Sequence, residues 1–305
     1  NYDFNGYCFK FKMMYNFIMR IITFNIDEKS AGMQIRDYLR GFGVSSALLT
    51  KLKQTENGIT KNGVFAKAIE KIECGDELTI CIKSEGTMPK PADLPLDIIY
   101  EDEDVLALNK PAAMPVHESR NHRGDTLSNA VANYMKGKRD SAFRAVFRLD
   151  RDTSGIVLTA KNELAAAKLA GKIKKDYYAV VCGETAGKGT IDAPIRRLGD
   201  SIIKRGVFED GDSAITHYES IKTNGKYTLL KINLETGRTH QIRVHFSNIG
   251  HPLAGDDLYG GSRADIARQA LHCKAICFTH PVKGKKITLE CDFPPDMEKL
   301  IEEMK

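Results

Sequence analysis

Apolar residues recur with two different periods along this chain, and the change of period divides it. Between residues 31 and 53, Ile35, Leu39 and Phe42, then Leu48, Leu49 and Leu52, fall three or four apart, the spacing of two short helix faces. Residues 58–82 contain Asn62-Gly63, a two-residue turn signal, and close on Leu78, Ile80 and Ile82, whose spacing of two predicts a strand. The segment 86–95, GTMPKPADLP, interrupts both periods with three prolines and a glycine and predicts a linker. Strand-like runs dominate beyond it: Ile98–Tyr100, Val105–Leu108, Ile156–Ala160, Tyr177–Cys182, His217–Lys222 and Tyr227–Leu234. The last two are joined by Thr223-Asn224-Gly225-Lys226, a hairpin turn. Helical spacing returns at 125–135, 163–175 and 239–249, and in the last Ile242, Phe246 and Ile249 form a stripe that Gly250 ends. The expected architecture is α+β. A central, mainly antiparallel sheet with flanking helices occupies 96–305, and a small N-terminal α/β unit occupies 21–85.

Residues 145–150, Ala-Val-Phe-Arg-Leu-Asp, also alternate. As a strand they put Val146, Arg148 and Asp150 on one face and send Ala145, Phe147 and Leu149 into a core. Thr153, Ser154 and Gly155 then make a turn, and Ile156-Val157-Leu158 opens the next strand. Asp150 becomes a carboxylate between Arg148 and Arg151 at the rim of a sheet. By residue type alone this is either an Arg–Asp surface pair beside a hairpin or a reactive carboxylate held by cations.

Composition narrows the class. At 305 residues, 42% hydrophobic and 28% charged, the chain has room for one large and one small globular unit. The net charge of +5 is modest, so its distribution matters more than its size. Lys136, Lys138, Arg139, Arg144, Arg148 and Arg151 face only Asp140 and Asp150, and Lys168, Lys172, Lys174 and Lys175 follow on the next predicted helix. Such runs are ordinary solvated faces, and around a reactive carboxylate they also suit a phosphate backbone. Seven cysteines with no C-x-x-C pair imply a reducing compartment, the cytoplasm. Cys273, Cys277 and His280 fall in a run that alternates as a strand rather than as a zinc site. Residues 1–20 show no long apolar span or cleavage site and read as an extension or misplaced start, with Met19 as initiator.

The string FRLDRDTSG (147–155) resembles the HRLDxxTSG signature of the RluA-type pseudouridine synthases. LNKPAAMPVH (108–117), KDYYAVVCG (175–183), ETGRTHQIRVHFSNIGHPLAGDDLYG (235–260) and LHCKAICFTHP (271–281) resemble further blocks of that family, in family order. The two short helices with NG and GD turns before residue 85 resemble the S4-like RNA-binding domain that often precedes such a catalytic domain. From Arg36 to Lys67 six basic residues stand against two acidic ones, consistent with an RNA-facing side. One departure is Phe147, where the family usually has His. On the strand reading that position faces away from Asp150 and changes packing more than chemistry.

The resemblance implies an isomerase that turns uridine in RNA into pseudouridine with no cofactor and no metal. Asp150 is implied as the catalytic carboxylate, Arg243 as its paired arginine, and Tyr177 as the residue that stacks on the base and is placed for the final proton removal at C5. Arg148 is implied to fill the gap left by a flipped-out nucleotide. Arg151, Arg238, His240 and Gln241 complete the expected substrate-binding set. Asp256 and Asp257 form a tempting divalent pair that in this context fixes the loop after Pro252. Ribosomal RNA of the large subunit is favoured as partner over transfer RNA, because an added basic unit joined by a linker raises effective concentration on a large RNA. A monomer is expected, with no membrane partner. Two other readings stay open: a hydrolase built from Ser154, His240 or His245 and Asp150, though the G-x-S-x-G elbow is missing, and a non-catalytic RNA-binding factor on the same fold.

Overall fold

The periodicity resolves into two main cores, one on each side of residues 86–95. The computed structural model describes residues 19–83, 88–136, 142–185, 187–199, 201 and 203–304. The expected extension up to residue 18, and Lys138 and Arg139 of the basic run, lie outside the described residues.

The N-terminal unit runs β1 (Met19–Asn25), α1 (Ile35–Phe42), α2 (Ser46–Gln54), β2 (Ile59–Lys61), β3 (Val64–Phe65) and β4 (Glu77–Lys83). Its strands form an antiparallel sheet in the order β1-β4-β2-β3. Leu78, Ile80 and Ile82 of β4 are buried together with Ile35 and Leu39 of α1 and Leu48, Leu49 and Leu52 of α2. Ser45 starts α2 by accepting the Leu48 N–H on its hydroxyl. Asn62 and Gly63 both take the left-handed conformation between β2 and β3, as a two-residue hairpin turn requires.

The larger unit contains β5 (Asp97–Glu101), β6 (Val105–Lys110), α3 (Leu127–Tyr134), β7 (Arg144–Ala145), β8 (Ser154–Ala160), α4 (Glu163–Leu169) and β9 (Lys174–Cys182). It continues with β10 (Lys188–Asp192), β11 (Ile195–Arg197), β12 (Arg205–Val207), β13 (Ile215–Thr223), β14 (Tyr227–Leu234), α5 (Gln241–Asn248), β15 (Leu271–Thr279), β16 (Lys286–Glu290) and α6 (Pro295–Glu302). Among the described residues ten strands form one sheet along β10-β13-β14-β9-β15-β8-β6-β5, with β16 on β15 and β7 on β8. β8 and β15 pair in parallel, and the other neighbours are antiparallel. All seven residues of β8 are buried, which accounts for its unbroken apolar run. At the parallel crossing a Cβ on Gly155 would lie 2.3 Å from the Cys273 carbonyl oxygen, and Gly155 sits at φ 110°. The close approach of the two strands therefore demands glycine at that place in the signature.

Three local expectations are corrected. The 145–150 run is not a strand, because β7 ends at Ala145 and Asp150 lies in a loop before β8. Phe147 accordingly does not point into the core but lies half-buried at its margin. The turn falls at Arg151-Asp152, and Ser154 and Gly155 already belong to β8. The helix expected over 163–175 stops at Leu169, after which Gly171 takes a left-handed φ of 69°. Lys174 and Lys175 instead begin β9, paired with Cys277 and Ile276 of β15.

The two units are docked. Leu164 of α4 is fully buried within the N-terminal core, a contact that stabilises by about 1.5–3 kcal/mol. Beside it Lys51 pairs with Glu163 at 2.7 Å, and the Lys168 ammonium lies 3.8 Å from the Phe42 ring centroid. Arg20 forks onto the buried Asp104 at 2.8 and 2.9 Å. Residues 88–96 have no helix or strand and lay Met88, Leu94 and Leu96 against the larger core.

Candidate active site

Three segments meet at the start of β8: the 146–153 loop, the first turn of α5 with the residues before it, and the first half of β9. They enclose a recess of about 60 Å³ lined by Arg148, Asp150, Tyr177, Arg238, His240, Gln241 and Arg243. It adjoins a cleft of about 730 Å³ that adds Arg151, His117, Phe147 and Lys175. All eight residues expected at the site from the sequence thus converge, although residues 148 and 243 are far apart in the chain.

Asp150 does not pair with its sequence neighbours. Its Oδ2 lies 3.3 Å from Arg243 Nη1 and 3.8 Å from His240 Nε2. Arg151 forks onto Asp152 at 2.9 and 3.0 Å, and Arg148 is exposed. Arg243 is buried, and its bidentate partner is Asp256, with both N–H···O distances 2.7 Å. Burial opposes the guanidinium charge, but the hydrogen bonds and charge of Asp256 outweigh it and hold the Arg243 pKa above its ordinary value. Asp256 and Asp257 are not a divalent pair, since Asp257 turns outward to Arg263 at 2.8 Å.

His240 takes a left-handed backbone at φ 59°, uncommon for a residue with a side chain, where it caps α5. Its Nδ1 bonds the Tyr259 hydroxyl at 2.9 Å, and that hydroxyl also accepts the Arg205 N–H at 2.9 Å. The imidazole is thereby held with Nε2 toward Asp150. Burial lowers the His240 pKa against the pull of Asp150, with Arg243 adding to the decrease. Gln241 spends its side-chain amide internally: Oε1 accepts from Thr236 Oγ1 and the Arg238 N–H, and Nε2 donates to Ile215 O and Thr216 Oγ1. Its place is to fix the 236–238 loop, and Arg238 itself donates Nε to Ser213 O at 3.0 Å. Tyr177 is buried beside Cys273, and burial first, then the neighbouring Cys273 thiol and the charge of Asp150, raise its pKa well above the ordinary value.

Two buried cations hold the loop from beneath. Lys110 donates its three N–H bonds to the carbonyls of Pro111, Met114 and Arg151 at 2.8, 2.8 and 2.9 Å. Burial brings its pKa down to about 7. Arg268 donates Nη1 to Asp152 O at 3.0 Å and forks onto Asp296 of α6. Lys110 and Tyr259 lay inside conspicuous motifs (LNKP and GDDLYG) without an assigned role, Asp256 was expected only to fix the loop after Pro252, and nothing local marked Arg268. Ser154 is buried and bonds His272 at 2.9 Å, while His245 bonds Thr216 and Ala193. The hydrolase arrangement is therefore not assembled. Cys273 and Cys277 lie on β15, and His280 bonds Asp102 at 2.7 Å.

The RNA pseudouridylate synthase family profile matches residues 104–248. The chain is 41% identical over 281 residues to the uncharacterized RNA pseudouridine synthase YjbO of Bacillus subtilis, covering 88% of this chain and 98% of that relative. The chain belongs to the RNA pseudouridylate synthase family. The synthase is also 37% identical over 263 residues to the ribosomal large subunit pseudouridine synthase D of Escherichia coli K12, covering 79% of this chain and 81% of that protein. Its fold matches the solved structure of human RNA pseudouridylate synthase domain containing 1 with a TM-score of 0.55 at 23% identity, over 72% of this chain and 97% of that one. The synthase is an isomerase that converts uridine to pseudouridine in RNA.

Proposed function

We propose that the recess at Asp150 takes a uridine flipped out of large-subunit ribosomal RNA, and that Asp150 carries the isomerisation. The observation behind this reading is the approach of Asp150 and a doubly anchored Arg243 beside Tyr177 in one recess. The carboxylate either removes a ribose C2′ proton to give a glycal or attacks covalently at the sugar or base. In either route N1–C1′ breaks with its electron pair going to the uracil, the ring turns and C5 bonds to C1′, while C2′ regains its proton in the glycal route or the bond to Asp150 breaks in the covalent ones. The C5 proton then leaves and N1 takes up a proton. Bonds broken and formed balance without any change of oxidation state. Arg243 supplies a fixed positive charge at Asp150, preorganised because Asp256 holds the other edge of its fork. Tyr177 serves as a wall for the base. Its raised pKa keeps the phenol neutral, which leaves Asp150 the better acceptor for the departing proton.

The ribosomal target is supported by the named activity of the E. coli relative and by the second unit docked beside the catalytic one, whose residues 36–67 carry six basic side chains against two acidic ones. No helix of the described residues is long and apolar enough to cross a membrane, and the six described cysteines are free, which supports a reducing cytoplasm. The test is tritium release from large-subunit ribosomal RNA transcripts labelled at uridine C5. Wild type releases tritium, and Asp150→Asn binds the RNA but loses at least a hundred-fold in turnover, because phosphate contacts lie elsewhere. Turnover within ten-fold of wild type in that variant would sink the assignment.

A further inference from the structure

A second cleft of about 780 Å³ opens on the far side of Phe147, lined by Lys172, Lys174, Lys175, Asp176, Asn233 and Glu235 among others. It shares Val146, Phe147, Lys175, Leu234 and Gly237 with the cleft at Asp150, so these five residues, with Phe147 the one aromatic ring among them, form the partition between the two. The acids in this second cleft are already engaged: Asp176 pairs with Lys231 at 2.8 Å and Glu235 with His217 at 2.6 Å. Among the described residues no carboxylate pairs with Lys172, Lys174 or Lys175, and the Lys175 ammonium lies 4.9 Å from the Phe147 ring centroid. A half-buried aromatic ring beside three uncompensated lysines is the combination that holds a single-stranded nucleotide, with base on ring and phosphates on ammonium groups.

We propose that Phe147 is the stacking platform for the nucleotide adjacent to the target uridine, with Lys172, Lys174 and Lys175 taking its phosphates. The inference rests on reading the Asp150 recess as the uridine site, since the shared partition then places the second cleft one step along the strand. It gives the ring where the family signature has His a role in RNA selection: any base stacks, and a missing base is penalised. Stacking of one base on an aromatic side chain corresponds to roughly a ten-fold change in affinity or more.

The probe is the stem-loop around a uridine that wild type is first shown to modify in unmodified ribosomal transcripts. Failure of that first step overturns the uridine reading, and a substrate so chosen tests the platform alone. Phe147→Leu keeps the apolar volume and removes the ring. It is expected to raise KM about ten-fold on the intact stem-loop, with the loss falling on KM rather than on kcat. On a stem-loop made abasic at the neighbouring position, wild type drops to the level of the variant and the substitution costs nothing more. Phe147→His, which keeps an aromatic face, stays within about three-fold of wild type. Lys172→Gln with Lys174→Gln, both exposed, flattens the salt dependence of binding by roughly one to two counterions. Equal losses for Phe147→Leu on intact RNA and on RNA abasic at either neighbour would overturn the platform, as would no loss at all. An unchanged salt slope in the lysine variant overturns the phosphate assignment.

Discussion

Replacing Asp256 by asparagine keeps the outline of the side chain and removes its charge from beneath Arg243. Arg243 is 7% exposed and Asp256 1%, and two hydrogen bonds of 2.7 Å join them. Removing one member of such a buried pair costs about 3–5 kcal/mol, because the other charge stays buried without its partner. Asparagine still accepts one N–H, so the expected loss is near the lower end, about 3 kcal/mol. Arg243 is then free to leave the position 3.3 Å from Asp150, and turnover falls at least ten-fold, about 1.4 kcal/mol of transition-state stabilisation. Asp257→Asn is the matched control one residue away. Its pair with Arg263 is exposed on both sides, so its loss stays within about 0.5 kcal/mol. Urea unfolding and tritium release from C5-labelled RNA are measured on all three proteins. The argument is refuted if Asp256→Asn unfolds within about 1 kcal/mol of wild type with unchanged turnover.

Lys110, with its pKa lowered from 10.5 to about 7, binds fewer protons folded than unfolded between those values, so its contribution to stability rises with pH there by up to ~1.4 kcal/mol per unit. Urea midpoints for wild type and Lys110→Met across that range must diverge in slope; parallel slopes contradict the assigned burial. Asp102, Asp104 and His280 cluster at metal-ligand distances, but Lys283 already pairs with Asp102 and Arg20 with Asp104. Activity is accordingly expected to survive EDTA on an RNA shown to stay folded, and loss restored by magnesium counts against this. Arg20→Met takes from the buried Asp104 the guanidinium that forks onto it and leaves it the Asn162 amide at 2.8 Å, which is expected to destabilise by about 3 kcal/mol. Limited proteolysis then cuts between the two units sooner than in wild type, and an unchanged digestion pattern argues against the docked arrangement.

Wherever neighbours in sequence are neighbours in space, the chain was readable. The alternation of Leu78, Ile80 and Ile82, the turn at Asn62-Gly63 and the hairpin at Thr223–Lys226 needed only local backbone and burial, and each stands as expected. The loop carrying Asp150 was misread as a strand because its alternation is real, while its backbone is held by Lys110 and Arg268, 41 and 116 residues away from the carbonyls they bind. The same distance keeps the partner of Asp150 out of any local reading: Arg148 and Arg151 flank it, yet Arg243, 93 residues on, faces it, a pairing that only the family resemblance implied. Helical spacing over 163–175 failed where pairing with β15 captured Lys174 and Lys175, a case of tertiary contact overriding local pattern. Family motifs located the converging residues, but only the fold distinguishes those facing the recess from Gln241, whose amide is fully used in place.

The burial of Leu164 in the neighbouring core bears on how such enzymes can be recombined. A catalytic unit fitted with a different N-terminal module inherits Leu164, Glu163 and Lys168 as an open face, and Asp104 as a buried acid in search of a cation. An incoming module must supply an apolar socket, a lysine near position 51 and an arginine at the start of its first strand. Without them the chimera exposes a leucine and loses the ion pairs at the seam. Swapping N-terminal units among these synthases is thus a problem of matching one face of α4, more than of choosing the length of the connecting segment.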